Sequence, residues 1–114
     1  MMMSLKKNDR HLNVLLVESI DDAISILLSR DVVDALYVHL QKIHSVSRDE
    51  VPCKIETLCA ALEKTFGVPS SRIISKVIAR RLYAKLGLPF TDNPSRTLLE
   101  YVEEAKIKLQ DRGS

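Results

Sequence analysis

One hundred and fourteen residues, 46% of them hydrophobic and 28% charged, suit a single globular domain and exclude a wholly disordered chain. No uncharged stretch approaches the ~20 apolar residues of a membrane span, and two cysteines are too few for a secreted disulfide scaffold. Seventeen bases against fifteen acids leave a net charge of +2, which selects no class of partner.

Near the start, Lys6 and Lys7 are followed by Asn8, Asp9 and Arg10 rather than by the apolar run of a signal peptide, so the cytoplasm is the expected compartment. Residues 1–12 and 111–114 read as loose ends around one domain at 13–110. Val14-Leu15-Leu16-Val17 fits strand or helix equally, because four apolar residues carry no period.

Five amphipathic helices then follow at 100° steps. The first, about 19–29, has Ser19 as N-cap and Asp22 in its first turn, and groups Ile20, Ala23, Ile24, Leu27 and Leu28. The second, about 30–45, groups Val32, Val33, Leu36, Leu40 and Ile43. The third, about 53–66, groups Ile55, Leu58, Cys59, Leu62 and Phe66, with a capping box in Ser47 and Glu50 ahead of it. The fourth, about 70–86, lies between two glycines that each have a proline two residues on: Gly67 with Pro69, and Gly87 with Pro89. Glycine supplies a left-handed residue just past a helix and proline beyond it blocks continuation. The fifth, about 94–110, starts with Asn93 as cap and Pro94 as first helical residue, and groups Leu98, Val102, Ala105 and Leu109.

The fourth helix differs from the rest. Ile73, Ile74, Val77, Ile78, Ala79, Leu82 and Leu86 cover well over half its circumference, as in a helix contacted on several sides. It reads as a central strut about 25 Å long. Arg81 and Lys85 fall inside this apolar arc. A buried charge needs an answer, which predicts that Arg81 pairs with Glu100, Glu103 or Glu104 on the fifth helix and that Lys85 snorkels past the helix end. Leu36, Leu40, Leu62, Phe66, Val77, Ile78 and Leu82 are the expected core.

Several motifs point to chemistry only in part. Val14–Glu18 followed by Asp21 and Asp22 resembles the first strand and acidic pocket of a response-regulator receiver. The phosphorylated aspartate such a domain needs some forty residues later is missing from Ile55-Glu56-Thr57-Leu58-Cys59, so the acids read as helix caps. Cys53 and Cys59 sit 120° apart on one helix and can neither share a zinc site nor bridge, while His39 and His44 flank an apolar face. No nucleophile–base motif, phosphate loop or HExxH pair occurs, which implies no catalytic residues, metal or cofactor. Glu104 and Lys108 form an i,i+4 pair on a solvated face.

The sharpest signal is basic. Lys64, Arg72, Lys76, Arg80, Arg81, Lys85 and Arg96 face one acid, Asp92, and Arg72, Lys76 and Arg80 fall on one helical face as a candidate nucleic-acid or partner contact. Phe66–Ile73 resembles the turn of a DNA-binding helix-turn-helix, with Glu63 and Lys76 standing where that motif wants small and apolar residues.

One resemblance spans about Ser19 to Leu109. It is carried by Leu36-Tyr37 with His39-Leu40, Pro52, Ala61-Leu62-Glu63 with Phe66-Gly67, Leu82-Tyr83 with Leu86-Gly87-Leu88, and Glu100-Tyr101-Val102-Glu103-Glu104-Ala105. In order and spacing these fragments resemble the archaeal family known as the Nitrosopumilus output domain of the fifth type, small helical proteins without an assigned activity. The resemblance implies an all-α domain, a signalling role and no catalytic residues. The chain departs from that pattern at Gly67-Val68-Pro69-Ser70, where a second small residue is expected after the glycine, so the start of the fourth helix is open.

These observations predict an all-α, single-domain bundle of about five helices, non-enzymatic, without cofactor or metal and off the membrane. Its expected role is protein interaction or signalling output, with another protein or a second copy as partner. A DNA-binding transcriptional regulator acting through Arg72, Lys76 and Arg80 is the second reading, and a ligand sensor with a pocket between helices the third.

Overall fold

Leu12, Leu16, Ile20, Ala23 and Ile24 recur every three or four residues and are completely buried, and that stripe runs along one continuous helix, α1 (Lys7–Leu27). The computed structural model describes the backbone of residues 7–113 and the side chains of residues 10–110. Val14–Val17 therefore lies mid-helix. Residues 7–12 are helical rather than loose, with Leu12 in the core, while residues 1–6 lie outside the described residues.

Ser19 is not an N-cap. It is buried in the middle of α1, where its hydroxyl donates to the Leu15 carbonyl at 2.7 Å, the way a serine satisfies itself inside a helix. Asp21 and Asp22 are likewise far from any helix end and are available for tertiary pairs.

Ser29 caps α2 (Arg30–His44) by accepting from the Val32 N–H at 3.2 Å. The helix stops at Ser45, a non-glycine residue in the left-handed region at φ 55°. Ile43, grouped with the apolar face of this helix, is 62% exposed in the last turn. The Glu50 carboxylate accepts from both the Ser47 N–H and hydroxyl at 2.9 Å, but the helix it opens is a short 3-10 helix, Arg48–Cys53. Cys53 ends that piece, and α3 (Ile55–Phe66) begins two residues later.

A single residue, Gly67 at φ 87°, separates α3 from α4 (Val68–Leu86). Pro69 lies in the first turn of α4, where its missing N–H costs nothing. It does not block the chain. At the other end the Leu88 N–H reaches the Tyr83 carbonyl at 2.9 Å and the Gly87 N–H the Ala84 carbonyl at 3.2 Å, with Gly87 left-handed, a Schellman stop.

The connection runs on to residue 97, so α5 (Leu98–Gly113) begins later than predicted. Asn93 makes a turn, its side chain accepting from the Ser95 N–H at 3.0 Å. Thr97 is the cap: its hydroxyl accepts from the Glu100 N–H at 3.1 Å and its own N–H donates to the Glu100 carboxylate at 2.8 Å. Residues 111–113, predicted loose, are helical, and Ser114 lies outside the described residues.

The result is an all-α bundle with no strand among the described residues. α1 packs along α4, which also touches α3 and α5, while α2 lies against α1. Leu36, Leu40, Leu62, Ile78 and Leu82 are buried as expected, whereas Phe66 and Val77 pack only at the edge of the core. α4 buries Ser71, Ile74, Ile78, Ala79, Leu82 and Tyr83, a narrower arc than predicted, and Ile73 is 59% exposed.

Candidate functional site

The basic residues of α4 are divided by what meets them. Asp22 on α1 lies 3.4 Å from Arg81 and 3.2 Å from Lys85, and Glu18 lies 3.7 Å from Lys85. Arg81 is therefore paired as predicted, but with α1 rather than with Glu100, Glu103 or Glu104. Lys85 is paired too, where snorkelling was expected. The physical reason is packing order: α1, not α5, covers that side of α4.

Lys76 is held by Asp92 of the α4–α5 connection at 3.1 Å. Arg96 pairs with Glu104, whose carboxyl lies below its usual range because Lys108 donates to it and Arg96 stands beside it. Arg80 is exposed and lies over the Phe90 ring at 5.7 Å. Arg72 is exposed and has no ion pair among the described residues. Of the seven bases between Lys64 and Arg96, four are thus engaged by acids within the molecule.

Arg72 and Lys76 line a groove of about 580 Å³ between α3, α4 and the α4–α5 connection. Ser75, Ser95 and Arg96 add polar groups to its walls, and Glu63 is the carboxylate among its lining residues. Arg80 does not line it. Cys59 reaches the same groove from α3, and burial pushes its thiol pKa up, which leaves it a poor nucleophile at neutral pH.

The groove wall is held by aromatic residues that the periodicity did not single out. Tyr101 on α5 stacks on Phe90 at 5.2 Å, and Tyr83 meets Phe90 edge-on at 5.5 Å. Arg96 lies over the Tyr101 ring at 5.4 Å. A tyrosine on a buried helical face wants a partner for its hydroxyl, and that was the available signal.

The Val14–Asp22 segment builds something other than a receiver pocket. The Asp21 carboxylate, its side chain only 10% exposed, accepts from the Tyr37 hydroxyl at 2.7 Å and from Arg48 of the 3-10 helix. Arg48 also lies over the Tyr37 ring at 5.5 Å. Burial and the adjacent carboxylate push the Tyr37 pKa up, and the pair with Asp21 raises that of Arg48. This triad ties α1, α2 and the 3-10 helix together. Asp21 lies beside the apolar stripe of α1 and is buried, and a carboxylate taken out of water requires donors.

His39 and His44 stack edge to face at 5.7 Å, and Cys53 and Cys59 are both free thiols. Among the described residues no three His, Cys, Asp or Glu side chains are placed to hold a metal ion, and no helix is long and apolar enough to cross a membrane. The connection between α3 and α4 is one residue, against the three or four of a helix-turn-helix, which removes the motif suggested by Phe66–Ile73.

No family model, no curated protein and no solved structure matches this chain.

Proposed function

We propose that this chain is a non-enzymatic interaction module working in the cytoplasm, of the signalling-output kind implied by its resemblance to the small archaeal helical family. The observation that carries the reading is the seam between α1 and α4. Glu18 and Asp22 meet Lys85 and Arg81 in antiparallel register, so this stretch of the seam is neutralised from within. One turn further along the same stripes stand Ile26 on α1 and Val77 and then Ile73 on α4. Ile26 is 64% and Ile73 59% exposed, each an apolar side chain beyond the charged part of its stripe. A protein surface, or a second copy of the chain, is the partner that gains by covering such side chains.

The experiment places a photo-crosslinking residue at position 73 of the full chain in its native host. The expected result is a discrete protein adduct that disappears when Ile26→Asp is added. No adduct, together with monomeric sedimentation at every concentration, sinks this reading.

The DNA-binding alternative keeps one specific support: Arg72 and Arg80 are exposed and have no acid partner among the described residues. It predicts retarded duplex DNA at low salt, with a salt slope that falls by roughly one per phosphate contact on Arg72→Gln or Arg80→Gln. No retardation at ~50 mM salt removes it.

A further inference from the structure

The groove beside α4 has the size of a ligand site and three bases on its walls. Its volume of about 580 Å³ falls among small-molecule sites, which run from roughly 300 to 1,000 Å³. Arg72 and Lys76 stand one turn apart on its α4 wall, and Arg96 faces the same space from the α4–α5 connection. Three cations meet three carboxylates here: Glu63 on the wall, Asp92 on Lys76 and Glu104 on Arg96. Arg72 is the cation without an ion pair among the described residues, and Lys76 the one whose partner is exposed enough to be exchanged for an anion. Ser75 and Ser95 also line the walls, with the Ser75 hydroxyl bonded to the Cys59 thiol.

Asp92 shows where that anion would sit. It is the only acid between Lys64 and Arg96, and its half-exposed carboxylate already answers Lys76 at 3.1 Å. An exposed pair of this kind contributes little stability, so a competing dianion can replace it. Arg72, one turn away, has no ion pair among the described residues and can complete the pocket. Arg96 behaves differently: Glu104 and the Tyr101 ring fix its guanidinium, so it forms a rigid cationic wall rather than a mobile clamp.

We propose that this groove binds a small phosphate monoester of mononucleotide size, its phosphate lying between Arg72 and Lys76 and displacing the Asp92 carboxylate. A phosphate dianion carries the second charge that a carboxylate such as Asp92 lacks, and it offers enough oxygens for both bases and a hydroxyl. Asp92 then acts as a built-in competitor, holding Lys76 in place while the groove is empty.

The test is an NMR and calorimetric titration of the full chain at low salt with adenosine monophosphate and inorganic phosphate, using adenosine and succinate as controls. Both phosphates are expected to shift the amides of Arg72, Ser75 and Lys76, and the two controls are not. Combined Arg72→Gln and Lys76→Gln weakens adenosine monophosphate by about tenfold or more, while Asp92→Asn tightens it by about threefold. All three side chains lie at the surface, so the variants leave the core intact. Silence at these amides up to about 10 mM ligand overturns the proposal, as does equal binding of adenosine or succinate. Weaker binding to Asp92→Asn overturns it as well.

Discussion

The Tyr83 hydroxyl on α4 donates to the main-chain carbonyl of Tyr101 on α5 at 2.7 Å. The Tyr101 hydroxyl passes the connection on, accepting from the Asn93 N–H at 2.8 Å and donating to the Asn93 carbonyl at 3.1 Å. Two tyrosines thus fasten both α5 and the loop before it to α4. Tyr83→Phe keeps the ring packing and loses only the bond, which should cost about 1 kcal/mol in urea unfolding. Tyr101→Phe should cost a similar amount and also speed amide exchange at Asn93.

Alkaline pH probes the same bonds. Burial pushes the Tyr83 pKa up to about 12, from the ordinary value near 10. Tyr37 is raised in the same direction by burial and Asp21. A group whose folded pKa lies above its unfolded one adds stability that is complete below the unfolded pKa and is lost as pH rises through the folded value. Stability should therefore begin to fall above pH ~9, where the Cys59 thiol, also raised by burial, would ionise in the unfolded chain, and fall more steeply between ~10 and ~12, by up to about 1.4 kcal/mol per pH unit for each tyrosine. Urea unfolding across that window checks it. Tyr83→Phe should flatten the fall.

The ion pairs of the α1–α4 seam should contribute modestly and depend on salt. Their side chains are about one-third to one-half exposed, so Asp22→Asn is expected to cost roughly 1 kcal/mol or less at low salt and almost nothing at high salt. The Arg81 Nε is buried without a hydrogen-bond partner, so the guanidinium depends on Asp22 for its main contact. A double-mutant cycle of Asp22→Asn with Arg81→Gln should give a coupling of about 0.5 kcal/mol. A coupling that survives high salt undiminished would contradict the geometry.

Leu62 and Leu82 are completely buried, and replacing either with alanine should cost about 2–5 kcal/mol. Ile73→Ser, at an exposed site, should stay within about 0.5 kcal/mol of the parent. The contrast between these positions marks how far periodicity could see. Leu62 and Leu82 sit at the centre of their apolar arcs, where any neighbouring helix buries them. Ile73 sits at the edge of its arc, and Ile43 lies within its arc but in the last turn of α2, so in both cases burial depends on which helix arrives, and no helix covers them. The acids of α1 escaped for a similar reason. Spacing alone showed that Arg81 and Lys85 needed answering, but pairing across helices depends on the packing order, and that is a property of the whole fold. The groove beside α4 was only half visible: Arg72 and Lys76 stand out by spacing and charge, whereas Arg96 reaches it through a connection whose path the sequence does not declare and Tyr101 from the helix after it.

The start of α5 offers the sharpest check on that connection. Asn93-Pro94 has the composition of a helix start, yet Asn93 uses its side chain on the Ser95 N–H and its backbone on the Tyr101 hydroxyl. Four residues on, Thr97 and Glu100 exchange two hydrogen bonds, each satisfying an amide that the first turn would otherwise leave without an acceptor. Thr97→Ala removes the acceptor for the Glu100 amide and should cost about 1 kcal/mol, the usual effect of losing an N-cap side chain. Its local signature is faster hydrogen exchange at Glu100. Asn93→Ala removes the Ser95 bond instead, so it should loosen the 93–96 turn and leave exchange at Glu100 unchanged. Measuring that amide in the two variants separates the two helix starts. If Asn93→Ala accelerates Glu100 while Thr97→Ala does not, α5 begins where its proline suggests and the capping assigned to Thr97 is wrong.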